Sequence, residues 1–368
     1  MKGVVDADTH IAEPEIMWDL INENEYGRRP ILVTMPTDTI YKRFNALWLI
    51  DGELFPKAAG KGGFSLASPT AADIITNRQQ DISIGSMEIT DVADRLNDMD
   101  TLGVDTQVVY PTLFLICLTE DAKLETALCA AYNRFMAKAC AESNNRIRWV
   151  LVPPLRDPDA AIEEIRYGKE HGAAGIFFRA IEVDMSLAEP YFSPIYAEAA
   201  RLDLPICIHT GAGSSKITKM FNYDISFTFP TIRIQPLMAF RDIVANKIPE
   251  KFPGLRFGFL EAEASWVPYL LHNLSRYFKR AKDSNRQAGA RLFDEYGLYV
   301  ACEADEDVNY LLNYIGEDHM VIGSDYGHND QSFEDNMAKV FRARTDVEGH
   351  VIEKILSDNP RAFYGLST

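Results

Sequence analysis

The chain alternates short apolar segments with longer segments of helical periodicity, and no other feature restricts its fold as strongly. The apolar segments are four to seven residues long and rich in Val, Ile, Leu and Phe, which is typical of parallel strands that are buried on both faces. Eight such strands, each followed by helical sequence, predict an α/β fold, the (β/α)8 barrel of the TIM type. The predicted strands cover residues 4–10, 106–110, 149–152, 174–178, 205–209, 255–260, 298–302 and 320–323.

The alternation of predicted strands and helices is interrupted once, between residues 22 and 89. This stretch contains a predicted hairpin that turns at Asp51-Gly52 and a glycine-rich segment, residues 58–63. We therefore predict one domain, residues 1–368, with an insertion after the first strand that forms a lid or small subdomain over the strand ends. A surface elaboration with no role in the site is the alternative. After the insertion, Thr90 is predicted to cap a helix that ends at Gly103.

Composition narrows the class of protein and of partner. The chain has 368 residues, 47% of them hydrophobic, which is enough for one large barrel. Its formal net charge of −17 disfavours a nucleic-acid partner, and no apolar run reaches the roughly 18 residues that span a bilayer. Five cysteines without a Cys-x-x-Cys pair are typical of reduced core residues. With the first strand starting close to Met1, we expect no signal peptide, a cytoplasmic location and a small-molecule substrate.

Ionisable side chains stand at the ends of four predicted strands. The active sites of such barrels lie at the carboxyl ends of the strands, so these side chains are candidates for one shared site. Carboxylates and imidazoles buried together would be poorly solvated without a cation, which favours a divalent metal over an unmetallated polar site. For the first strand alone, a turn-capping aspartate and a core histidine are the alternative. The candidates are Asp8 and His10, His209, Glu261, and Asp325 with His328.

Motifs spread in order over nearly the whole chain carry a resemblance to a known family. They are DADTH at 6–10 with Glu13-Pro14, IHTG at 208–211, FPGLRFGFLEA at 252–262, GSDYGH at 323–328 and DNPRAFYGL at 358–366. They resemble the amidohydrolase superfamily, in the amidohydrolase-related (amidohydrolase 2) branch that includes enzymes similar to aminocarboxymuconate semialdehyde decarboxylase. The resemblance implies a distorted (β/α)8 barrel, commonly assembled as a homo-oligomer. It also implies a metal held by Asp8, His10, His209 and Asp325. If Glu261 and His328 also coordinate, there are enough ligands for a second metal.

The sequence departs from this family pattern at three strands. The first strand has Asp-x-His where many members have His-x-His. The fourth, Gly175 to Arg179, has no lysine to be carboxylated, which disfavours a lysine-bridged pair of metals. The sixth carries Glu261 and Glu263 where decarboxylases of the branch carry a histidine. Two aspartates and two histidines form a hard ligand set, which favours manganese or iron while zinc stays possible.

The residues permit two closely related reactions. A metal with open coordination supports either a hydrolase or a non-oxidative decarboxylase that acts on a small substrate bearing a carboxylate or carbonyl group. Asp325 and His328 are the candidates for proton transfer, although His328 could instead only orient Asp325. Arg179 and Arg233 could bind a substrate carboxylate or belong to structural ion pairs.

Two further functions remain open from the sequence. One is a two-metal oxygenase that uses iron or manganese on the same barrel. The other is a non-catalytic subunit of a hetero-oligomer with a paralogous chain, since the lysine of strand four and the histidine of strand six are missing. Aromatic residues in the loops suit an aromatic substrate, or merely pack. These are Tyr41, Phe44, Trp48, Phe221, Tyr223, Phe227 and Phe229.

Overall fold

The computed structural model describes residues 3–34, 38, 46–56, 59–60, 63–64, 82–216, 233–281, 288–328 and 332–367. Eight parallel strands form one sheet whose order follows the chain, as predicted. They are β1 (Val5–Ile11), β2 (Thr106–Pro111), β3 (Ile147–Leu151), β4 (Ala173–Arg179), β5 (Ile206–His209), β6 (Phe257–Leu260), β7 (Leu298–Cys302) and β8 (Met320–Ile322).

Backbone hydrogen bonds close the sheet between its first and last strands. His10 N donates to Tyr326 O over 2.7 Å, and Asp325 N donates to Asp8 O over 3.0 Å. These bonds join the end of β1 to the residues that follow β8, so the sheet has no open edge there. The predicted (β/α)8 barrel is confirmed, and its closing seam lies among the predicted metal ligands.

Helices cover the outside of the barrel. Their apolar faces pack on the strands and enclose a continuous core that includes Trp149, Phe178 and Phe240. The α-helices of the described residues are α1 (Ile84–Met87), α2 (Val92–Leu102), α3 (Ala122–Glu142), α4 (Pro158–Glu170), α5 (Ser193–Arg201), α6 (Gln235–Ala245), α7 (Ile248–Lys251), α8 (Val267–Arg280), α9 (Ala290–Tyr296), α10 (Val308–Ile315), α11 (Met337–Arg342), α12 (Gly349–Glu353) and α13 (Asn359–Tyr364).

The N-cap of α2 differs from the prediction by one residue. The Asp91 side chain, with extended backbone angles, accepts hydrogen bonds from Ala93 N and Asp94 N. Thr90 was the wrong choice because the helix begins one residue later than its sequence pattern indicated. The predicted end is confirmed, since Gly103 adopts a left-handed φ of 70° that favours glycine.

The described part of the insertion contains a three-stranded antiparallel sheet. Its strands are Ile31–Thr34, Ala46–Ile50 and Glu53–Pro56. The predicted hairpin is confirmed, with positive φ at both Asp51 and Gly52 in the turn. Trp48 is buried and packs edge-on against Trp18 rather than facing a ligand. Asp51 Oδ2 accepts a hydrogen bond of 2.6 Å from the Thr119 hydroxyl, which docks this sheet on the loop that follows β2.

Two expectations from composition can be compared with the described residues. All five cysteines are free thiols and four are buried, as predicted for reduced core residues. Within the ranges given above, no helix combines the length and the apolar character that crossing a membrane requires. The aromatic residues at 41, 44, 221, 223, 227 and 229 lie outside the described residues.

Candidate metal centre

The carboxyl end of β1 supplies two potential ligands to the barrel mouth. Alternate residues of a strand share a face, so Asp8 and His10 lie on one side together with Asp6. All three are buried. Asp6 has a structural partner, because its carboxylate accepts hydrogen bonds from Ser324 N (2.8 Å) and Ser324 Oγ (2.6 Å). Asp8 and His10 face the site, with Asp8 Oδ1 3.5 Å from His10 Nε2.

The ends of β5, β6 and β8 bring in the other predicted residues. His209 is the last residue of β5, Glu261 follows β6, and Asp325 and His328 lie just after β8. All four are buried. Ligand atoms of Asp8, His10, His209 and Glu261 lie within 4.8 Å of one another, and the same holds for His10, Glu261, Asp325 and His328. The structure therefore brings all six predicted ligands into one cluster.

Glu261 occupies the centre of this cluster. Its Oε2 lies 3.1 Å from His209 Nε2, 3.3 Å from His10 Nε2 and 3.9 Å from His328 Nδ1. Glu261 has a φ of 49°, and Asp325 has a φ of 52°. Such left-handed backbone is costly for residues other than glycine, on the order of 1–3 kcal/mol, and it often occurs at functional sites. Here it turns both carboxylates inward directly after their strands.

Hydrogen bonds on the far side of each imidazole set the ring orientations. His10 Nδ1 is 3.1 Å from Pro111 O, and His209 Nδ1 is 3.0 Å from Thr210 O. In His328 it is Nε2 that is bound, at 2.9 Å from the Thr112 hydroxyl. Partners of this kind fix the tautomer of metal-binding histidines. They leave His10 Nε2, His209 Nε2 and His328 Nδ1 directed at the shared centre.

The donor atoms suit a divalent metal. Four of them, Asp8 Oδ1, His10 Nε2, His209 Nε2 and Glu261 Oε2, are buried and make no hydrogen bond to any part of the chain that the structure describes. Polar atoms in such a position are unfavourable unless something binds them. Adjacent ligands of an octahedral ion with bonds near 2.1 Å are about 3 Å apart. The imidazole nitrogens of His10 and His209 lie 3.1–3.5 Å from carboxylate oxygens of Asp8, Glu261 and Asp325, which is close to that value.

Burial and neighbouring charges shift the pKa values of His209, Glu261 and His328. Burial alone would lower the pKa of His209, but the Asp8 and Glu261 carboxylates raise it to about 10. Burial raises the pKa of Glu261, but the charges of the neighbouring imidazoles, His209 first, outweigh this effect and hold it well below its ordinary value. For His328, burial and the nearby His10 ring lower the pKa. A proton on His209 thus partly neutralises the carboxylates, and a metal ion would replace it.

The two predicted substrate-binding arginines do not join the cluster. Arg179 pairs with Glu182 through Nε and Nη2, while its Nη1 donates to the carbonyls of Phe114 and Ile116. This geometry corresponds to the structural ion pair that the sequence left open. Arg233 Nη2 lies 2.9 Å from Glu263 Oε1. Its Nη1 is buried and makes no hydrogen bond within the described ranges.

The sequence reasoning missed the residues that orient the histidines. Pro111 ends β2, and Thr112 follows it, so both lie at a strand end like the predicted ligands. Neither is ionisable, and a search for ionisable residues at strand ends passes over them. Glu13 was named from the sequence only as part of the motif that follows the first strand. Its buried carboxylate accepts hydrogen bonds from Thr112 N and Leu113 N, which fixes the turn that holds both rings.

A parallel barrel with carboxylates and imidazoles clustered at the carboxyl ends of its strands defines a class, the (β/α)8-barrel metal-dependent enzymes. Comparison with known proteins identifies the family within that class. Residues 5–366 match the family model described as amidohydrolase. The chain belongs to this amidohydrolase family, and the resemblance found in the sequence is confirmed.

Characterised relatives of the chain are decarboxylases. A gamma-resorcylate decarboxylase from Rhizobium radiobacter is 26% identical over 296 residues, which cover 76% of this chain and 88% of the relative. A second, from Rhodococcus jostii (strain RHA1), is 29% identical over 182 residues, 46% of this chain and only 55% of the relative.

Solved structures share the fold over the full length. An amidohydrolase from Mycobacterium avium subsp. paratuberculosis K-10 has a TM-score of 0.78 at 17% identity, with 99% of both chains covered. A 5-carboxyvanillate decarboxylase from Novosphingobium aromaticivorans, solved with bound manganese, has a TM-score of 0.67 at 17% identity, with 99% of this chain and 97% of that chain covered.

Proposed function

We propose that this protein is a divalent-metal-dependent, non-oxidative decarboxylase of a small aromatic acid that carries a hydroxyl group beside its carboxylate. The observation that carries the proposal is the buried cluster around Glu261, in which unsatisfied carboxylate and imidazole atoms converge. The matches to gamma-resorcylate decarboxylases support the reaction and the substrate class.

Asp8, His10, His209 and Asp325 are the proposed metal ligands, with Glu261 as a further ligand. The manganese found in a structural relative and the hard ligand set both favour Mn²⁺, with zinc or iron as alternatives. When bound, such a metal supplies a Lewis acid that holds and polarises oxygen atoms of the substrate. The chain's own contribution is to fix the ligands: Pro111 O and Thr210 O orient the imidazoles of His10 and His209.

Decarboxylation breaks the bond between the ring carbon and the carboxyl carbon, CO2 leaves, and the ring carbon takes up one proton. His328 and Asp325 are the proposed carriers of this proton. His328 Nδ1 lies 2.8 Å from Asp325 Oδ1, which is hydrogen-bond distance inside a buried site. Burial and the nearby His10 ring lower the pKa of His328, so its imidazole holds a proton only weakly and can pass it on.

Arg233 is the proposed substrate-binding residue. Its guanidinium is anchored through Nη2 to Glu263, two residues beyond Glu261, while Nη1 makes no hydrogen bond in the described part of the chain. An arginine anchored in this way can donate to a substrate carboxylate without losing its structural partner. Arg179 is assigned a structural role instead, because all three nitrogens of its guanidinium already donate hydrogen bonds, to Glu182 or to two backbone carbonyls.

Hydrolysis is the second candidate, and Glu261 favours it. This carboxylate stands where decarboxylases of the branch carry a histidine, and a carboxylate among imidazoles could serve as a general base toward water. Release of CO2 distinguishes the two reactions, because a hydrolase releases none from 2,6-dihydroxybenzoate, which is gamma-resorcylate.

The test combines metal analysis with a CO2 assay. We expect about one equivalent of Mn²⁺, Zn²⁺ or iron in the purified protein, and CO2 release from 2,6-dihydroxybenzoate without consumption of O2. His209→Ala and Asp325→Ala should lose both the metal and the activity. Two equivalents including iron, together with O2 consumption, would support the oxygenase instead. A protein without metal that co-purifies only with a paralogous chain would be the non-catalytic subunit.

We further propose that the insertion, residues 22–89, acts as a lid, and that the protein works as a homo-oligomer in the cytoplasm. The contact between Asp51 and Thr119 supports the first proposal, because it ties the insertion to the loop after β2. The free thiols are consistent with a reducing compartment. Light scattering of the purified protein tests the oligomeric state.

A further inference from the structure

The seam that closes the barrel also joins three of the proposed ligands. β1 supplies Asp8 and His10, and the residues after β8 supply Asp325. The two sides are held by His10 N bonded to Tyr326 O and by Asp325 N bonded to Asp8 O. Packing here is tight, because a Cβ atom added to Gly323 would collide with Asp8. Any widening of the seam would therefore move ligands apart.

A fully buried arginine lies directly behind this seam. Arg95 of α2 has no solvent exposure. Its Nη1 and Nη2 donate to the carbonyl of His10 over 3.2 and 3.3 Å, and its Nε donates to Gln107 Oε1 over 2.6 Å. Its guanidinium carbon lies 4.0 Å from the centre of the Tyr326 ring. One side chain thus contacts β1, β2 and the segment after β8.

The same helix holds Tyr326 a second time. Asp98 lies one turn after Arg95 on α2, and its Oδ2 accepts a hydrogen bond of 2.6 Å from the Tyr326 hydroxyl. Ser86 lies 2.8 Å from that hydroxyl and donates to the same carboxylate oxygen. The backbone of His10 and the side chain of Tyr326 are therefore both fixed by α2, on opposite sides of the seam.

We propose that Arg95 is a positioning residue of the metal centre, which holds β1 and the segment after β8 at the spacing that the metal ligands require. This inference rests on the metal centre of the proposed function. A buried arginine is retained only where its donors are satisfied, and the planar fork of Arg95 reaches the His10 carbonyl and Gln107 while stacking on Tyr326. Arg95 contacts no ligand atom, so it acts through the backbone of His10 and through Tyr326.

The test compares Mn²⁺ affinity in two matched arginine variants. Arg95→Met removes the donors at the seam. Arg134→Met removes a partly exposed arginine of α3, which pairs with Glu164 and stacks on Tyr167. The Mn²⁺ dissociation constant is measured by chelator competition, and the stability of the metal-free proteins by urea unfolding.

We expect Arg95→Met to weaken Mn²⁺ binding by about 10–100-fold, the range typical of residues that support metal ligands. Arg134→Met should leave the dissociation constant within about twofold of the parent value while it lowers stability. Arg95→Lys should recover part of the affinity, because lysine keeps the charge but not the planar fork. If Arg95→Met does not fold, Tyr326→Phe weakens the seam from the other side and should raise the dissociation constant several-fold.

The two proposals fail in different ways. A parent protein that binds Mn²⁺ and an Arg95→Met variant that binds it equally well would overturn the role of Arg95 alone. Equal losses of affinity in Arg95→Met and Arg134→Met would also overturn it, since the effect would then follow general stability. A parent protein that binds no Mn²⁺, Zn²⁺ or iron would overturn the metal centre together with this inference.

Discussion

At the scale of single residues, the candidate site depends on three histidines whose two ring nitrogens have different partners. Each of the three histidines binds the protein through one nitrogen and presents the other to the cluster. For His328 the partners are Thr112 on one side and Asp325 on the other. This arrangement is the one that proton transfer requires, because the ring is held while one nitrogen faces an acidic group.

Replacing His328 separates proton transfer from metal binding. We expect His328→Asn to lower kcat by about 10²–10⁴-fold, the usual contribution of a general acid or base, while the metal content stays near the parent value. His319→Asn is the matched control, because His319 is nearly buried and paired with Asp294 but precedes β8 at its opposite end. Steady-state kinetics and elemental analysis measure both quantities.

The outcome also distinguishes the other roles of His328. Loss of metal in His328→Asn would make His328 a ligand. An unchanged kcat would mean that His328 only orients Asp325.

At the scale of helices and strands, the ends of the elements supply both the residues of the candidate site and the caps of the helices. The strands are ordinary buried parallel strands, and the residues of the candidate site lie where the strands end. The helices likewise begin at defined side chains: Asp91, Asp121 and Asp157 accept hydrogen bonds from the first backbone N–H groups of α2, α3 and α4. These caps satisfy donors that no helical carbonyl reaches.

The position of the α2 cap can be tested directly. We expect Asp91→Ala to lower the free energy of unfolding by about 0.5–2 kcal/mol, because two backbone N–H groups lose their acceptor. Thr90→Ala, one residue earlier and equally exposed, should change it by less than about 0.5 kcal/mol. Urea unfolding at neutral pH measures both values. The reverse order would restore Thr90 as the cap.

At the scale of the whole molecule, the barrel gathers residues that are far apart in the chain. Asp8 and Asp325 are separated by more than three hundred residues, yet their backbones are bonded to each other. Three carboxylates, Asp8, Glu261 and Asp325, are enclosed there with the imidazoles. Like charges buried together oppose folding unless a cation or protons neutralise them. A metal bound at the proposed centre would therefore stabilise the barrel.

Metal removal should reveal this coupling. We expect the chelated, metal-free protein to unfold at a lower temperature, and added Mn²⁺ to restore the Tm, since a ligand present at 100 times its dissociation constant stabilises by about 2.7 kcal/mol. In His209→Ala, Mn²⁺ should shift the Tm little or not at all. Differential scanning calorimetry with and without Mn²⁺ measures the shifts. An identical shift in His209→Ala would place the stabilising ion elsewhere.

The pattern of the chain was enough to predict the barrel and the six clustered residues. Apolar strands recur with a period that only a parallel sheet explains, and ionisable residues directly after such strands must meet at one end of a barrel. What it could not determine is which polar atoms already have partners. From the sequence, Arg179 could bind a substrate carboxylate or join a structural ion pair, and the structure pairs it with Glu182. Thr90 and Asp91 are both residue types that cap helices, and the structure shows that Asp91 accepts the hydrogen bonds.

The environment of the cluster depends on contacts between distant parts of the chain, which local pattern does not specify. Arg95 is one charged residue on an amphipathic helix in the sequence, and its burial behind the His10 carbonyl depends on how α2 packs on the closing seam. The same is true of Thr112, whose role requires the end of β2 to lie beside the segment after β8. Local pattern specifies elements and their ends, whereas contacts between distant strands depend on closure of the whole barrel.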